Sequence, residues 1–157
     1  MEFAQHARRF GNQGIDAHSL GILVHDRRDG RLFVETAGEN ELAHFNLGSA
    51  YLENNELELA ITHFSAAAQM NPHDATTYNN IGIAYVRQKK EPLAEACFRQ
   101  AIFLNPQIAQ PHFHLAVLKI NQGLLSEAME HLNEAVRLAP DWIEARNLRD
   151  ELINSKR

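Results

Sequence analysis

The chain has 157 residues, enough for one domain with a hydrophobic core, and 45% of them are hydrophobic, an ordinary share for a globular protein. A net charge of −5 argues against nucleic-acid binding by the chain as a whole. The one cysteine, Cys97, excludes an internal disulfide and fits a reducing compartment. There is no apolar leader core and no run near the ~18 apolar residues of a membrane span. The expectation is therefore a cytoplasmic protein that does not insert into a membrane.

Residues 1–38 are electrically neutral, with five Arg and five Asp or Glu, so the remainder carries the whole −5. Gly11, Gly14 and Gly21 suggest a loose connector after a short helix near residues 2–10. "GILVHD" (21–26) and "RLFVET" (31–36) are β-rich, and "RRDG" (27–30) between them holds an Asp-Gly turn signal. This predicts a β-hairpin over 21–36. A lone hairpin is marginal in water. The segment is thus either a poorly ordered leader or a cap or dimerisation element at the N-terminal end of the remaining chain.

From residue 41 the chain repeats every 34 residues. "HFNLGSAY" (44–51), "YNNIGIAY" (78–85) and "HFHLAVLK" (112–119) are in step. So are "AITHFSAAAQMNP" (60–72), "AEACFRQAIFLNP" (94–106) and "AMEHLNEAVRLAP" (128–140), with Pro72, Pro106 and Pro140 in register. Leu47, Ala50 and Tyr51 follow a helical stripe. Gly48 and Gly82 each cost about 1 kcal/mol in a helix interior, so close helix packing is their expected return. Ala60, Ala94 and Ala128 serve the same need on the second helix, Phe64, Phe98 and Leu132 fill the space between helices, and each proline ends a helix.

These residues resemble the tetratricopeptide repeat family over about 41–142. The matching positions are Leu47, Gly48, Tyr51, Ala60, Phe64, Ala67 and Pro72, then Ile81, Gly82, Tyr85, Ala94, Phe98, Ala101 and Pro106. In the third unit they are Leu115, Ala116, Ala128, Leu132, Ala135 and Pro140. Lys119 departs where the family prefers an aromatic, and His44 and His112 replace the opening aromatic that Tyr78 keeps. The resemblance implies an all-α fold: a right-handed α-solenoid of three helix pairs at 41–74, 75–108 and 109–142. Residues 143–157 add a C-terminal capping helix. Asp141 is expected as its N-cap with Glu144 completing a capping box. Trp142, Ala145, Leu148 and Leu152 form its apolar stripe, and Lys156 and Arg157 follow its C-terminus.

The nine histidines invite a metal reading. His112 and His114 point about 200° apart on a helix. His44 and His112, like His63 and His131, lie two repeats apart. Zinc needs three or four convergent ligands, so these histidines read as structural. No phosphate-binding glycine loop, zinc-protease helix or nucleophile elbow occurs. No enzyme activity and no cofactor are expected.

In the resembling family, the first helix of each pair lines a concave groove that binds peptides. The positions carried over are Phe45, Asn46 and Ser49 in the first unit, with Leu42, Leu52 and Glu53. In the second they are Asn79, Asn80, Ile83 and Arg87, with Thr76 and Val86. In the third they are Phe113, His114 and Val117, with Gln110, Ile120 and Asn121. Asn46 and Asn80 share one repeat position, and an amide donates and accepts at once, so the pair suits a peptide backbone. Background packing between helices is the bland alternative. Asn79, whose equivalents are Phe45 and Phe113, is expected to leave a polar gap in the groove. The family's clamp for chaperone-tail carboxylates would need Lys, Arg and Asn where this chain has Phe45, Ser49, Asn80, Gln110 and His114. Only Asn80 fits, so such a tail is not the expected partner. The expectation is an adaptor that holds a peptide segment of a partner protein. The alternatives are a protein that self-assembles through residues 1–38 or its solenoid ends, and occlusion of the groove by residues 1–38.

Overall fold

A computed structural model describes residues 40–154, together with the backbone of residues 22–27 and 31–36. The helix expected near 2–10, the turn residues 28–30, and Lys156 and Arg157 lie outside the described residues. Strands β1 (Ile22–Arg27) and β2 (Arg31–Thr36) pair antiparallel, with Ile22 opposite Thr36 and Arg27 opposite Arg31.

Seven helices follow among the described residues. They are α1 (Glu41–Glu53), α2 (Leu57–Met70), α3 (Ala75–Arg87), α4 (Glu91–Leu104), α5 (Ala109–Asn121), α6 (Leu125–Leu138) and α7 (Ile143–Asn154). None is long and apolar enough to cross a membrane. Each odd-numbered helix from α1 to α5 pairs with the next, and each pair stacks on the one after it, giving an all-α solenoid. The 34-residue step is kept by every boundary from α1 to α6 because the turn chemistry repeats.

At the end of α1, the Glu56 N–H bonds the Tyr51 carbonyl at 2.8 Å and the Asn55 N–H bonds the Leu52 carbonyl at 3.1 Å. This paired closure needs a left-handed residue. Asn55 supplies it at φ 61°, Lys89 at φ 59° and Gly123 at φ 74°, one per repeat. At the far end of each pair, Pro72, Pro106 and Pro140 stand two residues past the last helical residue, where the chain must leave the helix.

The core runs along the stack. Phe64, Phe98 and Leu132 are fully buried, as are Ala60, Ala94 and Ala128. Leu47, Tyr51 and Ile81 build the first cluster with Phe64; Leu115 and Leu118 join Phe98 in the second; Ala116 and Leu152 join Leu132 in the third. Helix α7 closes the end, burying Ala145 and Leu152 and packing Leu148 against the third cluster.

One detail of the cap differs from expectation. The Trp142 carbonyl accepts the first intrahelical bond, from the Arg146 N–H at 3.2 Å, and α7 begins at Ile143. Trp142 therefore takes the N-cap place, not Asp141. The reason is the repeat frame: Asn40, Asp74 and Ile108 precede α1, α3 and α5 at 34-residue steps, and Trp142 is the next in line. Helix α7 thus stands in the place of a fourth first-helix, with no second helix paired to it among the described residues. It leaves Ile143 and Ile153 exposed, at 63% and 43%.

Candidate functional site

Stacking places α3 beside α5, with α4 behind them. A shallow pocket of about 170 Å³ opens between them, lined by Ile83, Val86 and Arg87 of α3, Phe98 of α4, and His114, Val117, Leu118 and Asn121 of α5. The walls are mostly apolar because groove positions on these helices carry branched aliphatics while their opposite faces supply the core. His114 stacks on Phe98 with ring centroids 5.4 Å apart, and Phe113 meets it edge-on at 5.8 Å. Burial pushes the His114 pKa below the ordinary imidazole value, which favours the neutral ring. The Arg87 guanidinium is also occupied: its Nη1 donates to the Leu52 carbonyl at 2.6 Å, across the seam between the first two repeats.

The structure gathers Ile83, Val86, Arg87, His114, Val117 and Asn121 at this pocket, and the other expected residues do not line it. Asn46 and Asn80 are half-buried on α1 and α3. The Asn46 Nδ2 is buried without a hydrogen-bond partner among the described residues. Ser49 Oγ donates to the Phe45 carbonyl in its own helix at 3.0 Å. Phe45 lies edge-on to Phe64 at 5.7 Å, and Phe113 rests on Trp142 at 4.6 Å.

Asn79 sits at the position of these two inward-leaning rings. It is only 7% exposed, and its Oδ1 is unpaired among the described residues. The polar gap expected in the groove is thus an interior polar site. Leu52, also expected at the groove, is buried in the first cluster.

Three features escaped sequence reasoning. Phe98 and Leu118 floor the pocket from core positions. Lys119 is buried and ion-paired, with its Nζ 2.9 Å from Glu95 Oε1 and 3.5 Å from Glu127 Oε2. His44 meets His63, and His112 meets His131, nitrogen to nitrogen, at 3.0 and 3.3 Å. The signal for these pairs was a 19-residue spacing within a repeat, hidden when histidines are compared only between repeats. No group of three or more His, Cys, Asp or Glu able to hold a metal occurs among the described residues.

Family comparisons agree with this architecture. A TPR repeat model matches residues 48–89 and a tetratricopeptide repeat model matches 79–141, together spanning most of the solenoid. The chain belongs to the tetratricopeptide repeat family. No curated protein matches the sequence of this repeat protein. Among solved structures, it is similar to the first TPR of Spaghetti (RPAP3) bound to HSP90 peptide SRMEEVD. That match has a TM-score of 0.70 and 22% identity, over 73% of this chain and 94% of the other. It is similar to the Arabidopsis OM64 TPR domain with a TM-score of 0.70 and 17% identity, over 73% and 95% of the two chains. The APC/C hetero-tetramer Cut9–Hcn1 matches with a TM-score of 0.69 and 24% identity, over 74% of this chain but 24% of the other. At these identities the likeness concerns the fold.

Proposed function

We propose that this tetratricopeptide repeat protein is a protein-interaction module rather than an enzyme, and that it holds a peptide segment of a partner along α1, α3 and α5. The observation that carries the reading is the apolar pocket between α3 and α5. Its volume, about 170 Å³, compares with the roughly 150 Å³ cavity that takes up benzene. One bulky apolar side chain of a partner therefore fits it. The half-buried Asn80 amide and the Oδ1 of Asn46, whose Nδ2 is buried, are the polar groups offered to the backbone of such a segment.

The similar RPAP3 domain is bound to a peptide ending in Glu-Val-Asp, which raises the question of an acidic tail here. The positions that would clamp a terminal carboxylate carry Phe45, Ser49, Asn80, Gln110 and His114, none of them a fixed positive charge. The pocket's own cation, Arg87, is engaged with the Leu52 carbonyl. An internal apolar segment suits this lining better than a charged terminus.

Selection of a random peptide display library on the intact protein tests the reading. Peptides enriched on the wild type are then measured against Asn46→Ala/Asn80→Ala and Val117→Glu. Affinity should fall at least tenfold in both variants with little change in melting temperature for the Asn pair. Enriched peptides that bind both variants unchanged would refute a groove site.

A further inference from the structure

Two of the three repeats carry a histidine on each side of the seam between their helices. His44 Nδ1 on α1 lies 3.0 Å from His63 Nδ1 on α2, and His112 Nδ1 on α5 lies 3.3 Å from His131 Nδ1 on α6. The ring centroids are 5.2 and 5.6 Å apart. Those separations exceed the nitrogen distances by about two ring radii, so the nitrogens point at each other in line. A metal chelate would need their lone pairs to converge on a third point instead. In-line Nδ1 atoms make a hydrogen bond when one carries a proton and the other is bare. Two imidazolium rings would aim an N–H at an N–H, with like charges in contact.

The surroundings favour the uncharged pair. Tyr51 stacks on His63 at 5.4 Å, and His44 is the ionisable group that acts on His63. Around the second pair, Glu134 of α6 favours a charge on His112 and Arg137 opposes it. Glu130 and Glu127 favour a charge on His131, while His112 and Arg99 of α4 oppose it. The carboxylates do not win: burial is the main cause that holds His63, His112 and His131 below the ordinary imidazole value. His112 Nε2 is also buried with no hydrogen-bond partner among the described residues; the Pro106 backbone beside this ring favours a proton on it, and burial outweighs that as well.

We propose that the two histidine pairs are acid-opened seams: a second proton on a pair loosens helix from helix in the first and third repeats, while the second repeat stays closed. The second repeat has Tyr78 and Cys97 at the two corresponding positions and so lacks the device. Helices α1 and α5 carry Asn46 and His114, so opening shifts both flanks of the groove around a fixed α3. That last consequence rests on the groove being the binding site; the acid opening itself does not.

The sign follows from linkage. A histidine whose folded-state pKa is depressed contributes stability that is complete above its unfolded value and is lost as pH falls through the folded one. The unfolding constant then rises by up to tenfold per pH unit for each such group.

Urea unfolding of the full chain between about pH 8 and pH 5 reads this directly. His44→Tyr/His63→Cys with His112→Tyr/His131→Cys transplants the second repeat's pair into the other two. Tyr78→His/Cys97→His adds a third histidine pair. On acidification the wild-type unfolding constant should rise at least tenfold more than that of the fourfold variant, and the added pair should steepen the rise. Parallel pH profiles for the wild type and the fourfold variant would overturn the proposal. If that variant does not fold, imidazole NMR of the wild type decides. Titration of His63, His112 and His131 below the ordinary value, with amide protection lost first in α1–α2 and α5–α6, supports the seams. Titration at the ordinary value, or protection lost evenly across repeats, overturns them. Loosened seams with unchanged peptide affinity at low pH would count against the groove reading alone.

Discussion

A methyl group placed on Gly82 would meet Phe98 Cε1 at 2.5 Å, closer than real contacts allow. The same relation holds between Gly48 and Phe64, at 2.6 Å. In the third repeat the two positions carry Ala116 and Leu132, both fully buried. The smaller partner there leaves room for the larger neighbour. Glycine is thus tied to the bulk of the facing ring.

Gly82→Ala should therefore destabilise by up to about 2 kcal/mol, since an overpacking cost of roughly 1–3 kcal/mol is offset by about 1 kcal/mol from alanine's better helix propensity. Phe98→Leu removes the obstacle and recreates the third repeat's pair. The double variant Gly82→Ala/Phe98→Leu should be at least about 1 kcal/mol more stable than the sum of the single losses predicts. A double-mutant cycle by urea unfolding checks this. Additive losses would show that the glycine does not make room for the ring.

Asp74 caps α3 by accepting the N–H groups of Thr76 and Thr77, each at 3.0 Å, and it also accepts the hydroxyl of the fully buried Thr77. Asp74→Ala should cost about 1–2 kcal/mol, the upper end of a cap's usual worth, because a buried hydroxyl loses its partner as well. Thr77→Val on top of it should recover part of that loss. In the third repeat Ile108 and Pro111 stand at the corresponding positions. Proline has no N–H to cap, and α5 has no side-chain cap, so Ile108→Ala should show no cap-sized loss. Thermal melts of the three variants separate these effects.

The solenoid was legible because its constraints are local and repeated: Gly48, Phe64 and Pro72 recur in kind one step on, as Gly82, Phe98 and Pro106. The end of the stack was less so, since Asp141 looks like a cap by residue type, and only the 34-residue frame puts Trp142 there. The site was legible in part. Repeat positions carried over from the resembling family include Ile83, His114 and Val117, which line the pocket. A repeat position does not tell a groove-facing side chain from one that leans into the next repeat, and so Asn79 and Leu52 were expected at the surface. Lys119 read as a departure from an aromatic preference. Its partners Glu95 and Glu127 lie on two other helices, and nothing in a linear spacing links them.

The left-handed residues closing α1, α3 and α5 offer a stabilising change. Lys89 holds φ 59° where Gly123 holds φ 74° at the same repeat position. A non-glycine residue in this region pays about 1–2 kcal/mol. Glycine avoids that strain but loses more chain entropy on folding. Lys89→Gly should accordingly raise stability by roughly 0.5–1 kcal/mol, and Gly123→Ala should lower it by about 1 kcal/mol. No side chain lies within 4 Å of the Gly123 Cβ position, so the second loss would come from the backbone alone. Equal melting temperatures for Lys89→Gly and the wild type would contradict the strain.

Lys119 ties three helices together from a buried position, 5% exposed, through Glu95 of α4 and Glu127 of α6. Tyr51 and Tyr85 occupy this place in the other repeats. Breaking a buried ion pair costs about 3–5 kcal/mol when the partner is left stranded. Here Glu95 keeps Arg99 at 2.9 Å and some access to water, with a side chain 23% exposed. Lys119→Met should then cost less, about 1–3 kcal/mol at pH 7, and Lys119→Met/Glu95→Leu should recover most of it. The pH dependence gives an independent check. The Lys119 hydrogen bond is the main cause that holds the Glu95 carboxyl below its ordinary value of 4.5. A depressed carboxylate contributes stability above its ordinary pKa and loses it as pH falls through the folded value. The gap between wild type and Lys119→Met should therefore narrow below about pH 4.5, well under the histidine range. A gap that stayed constant from pH 7 to pH 3 would mean that Lys119 contributes by packing and not by its charge.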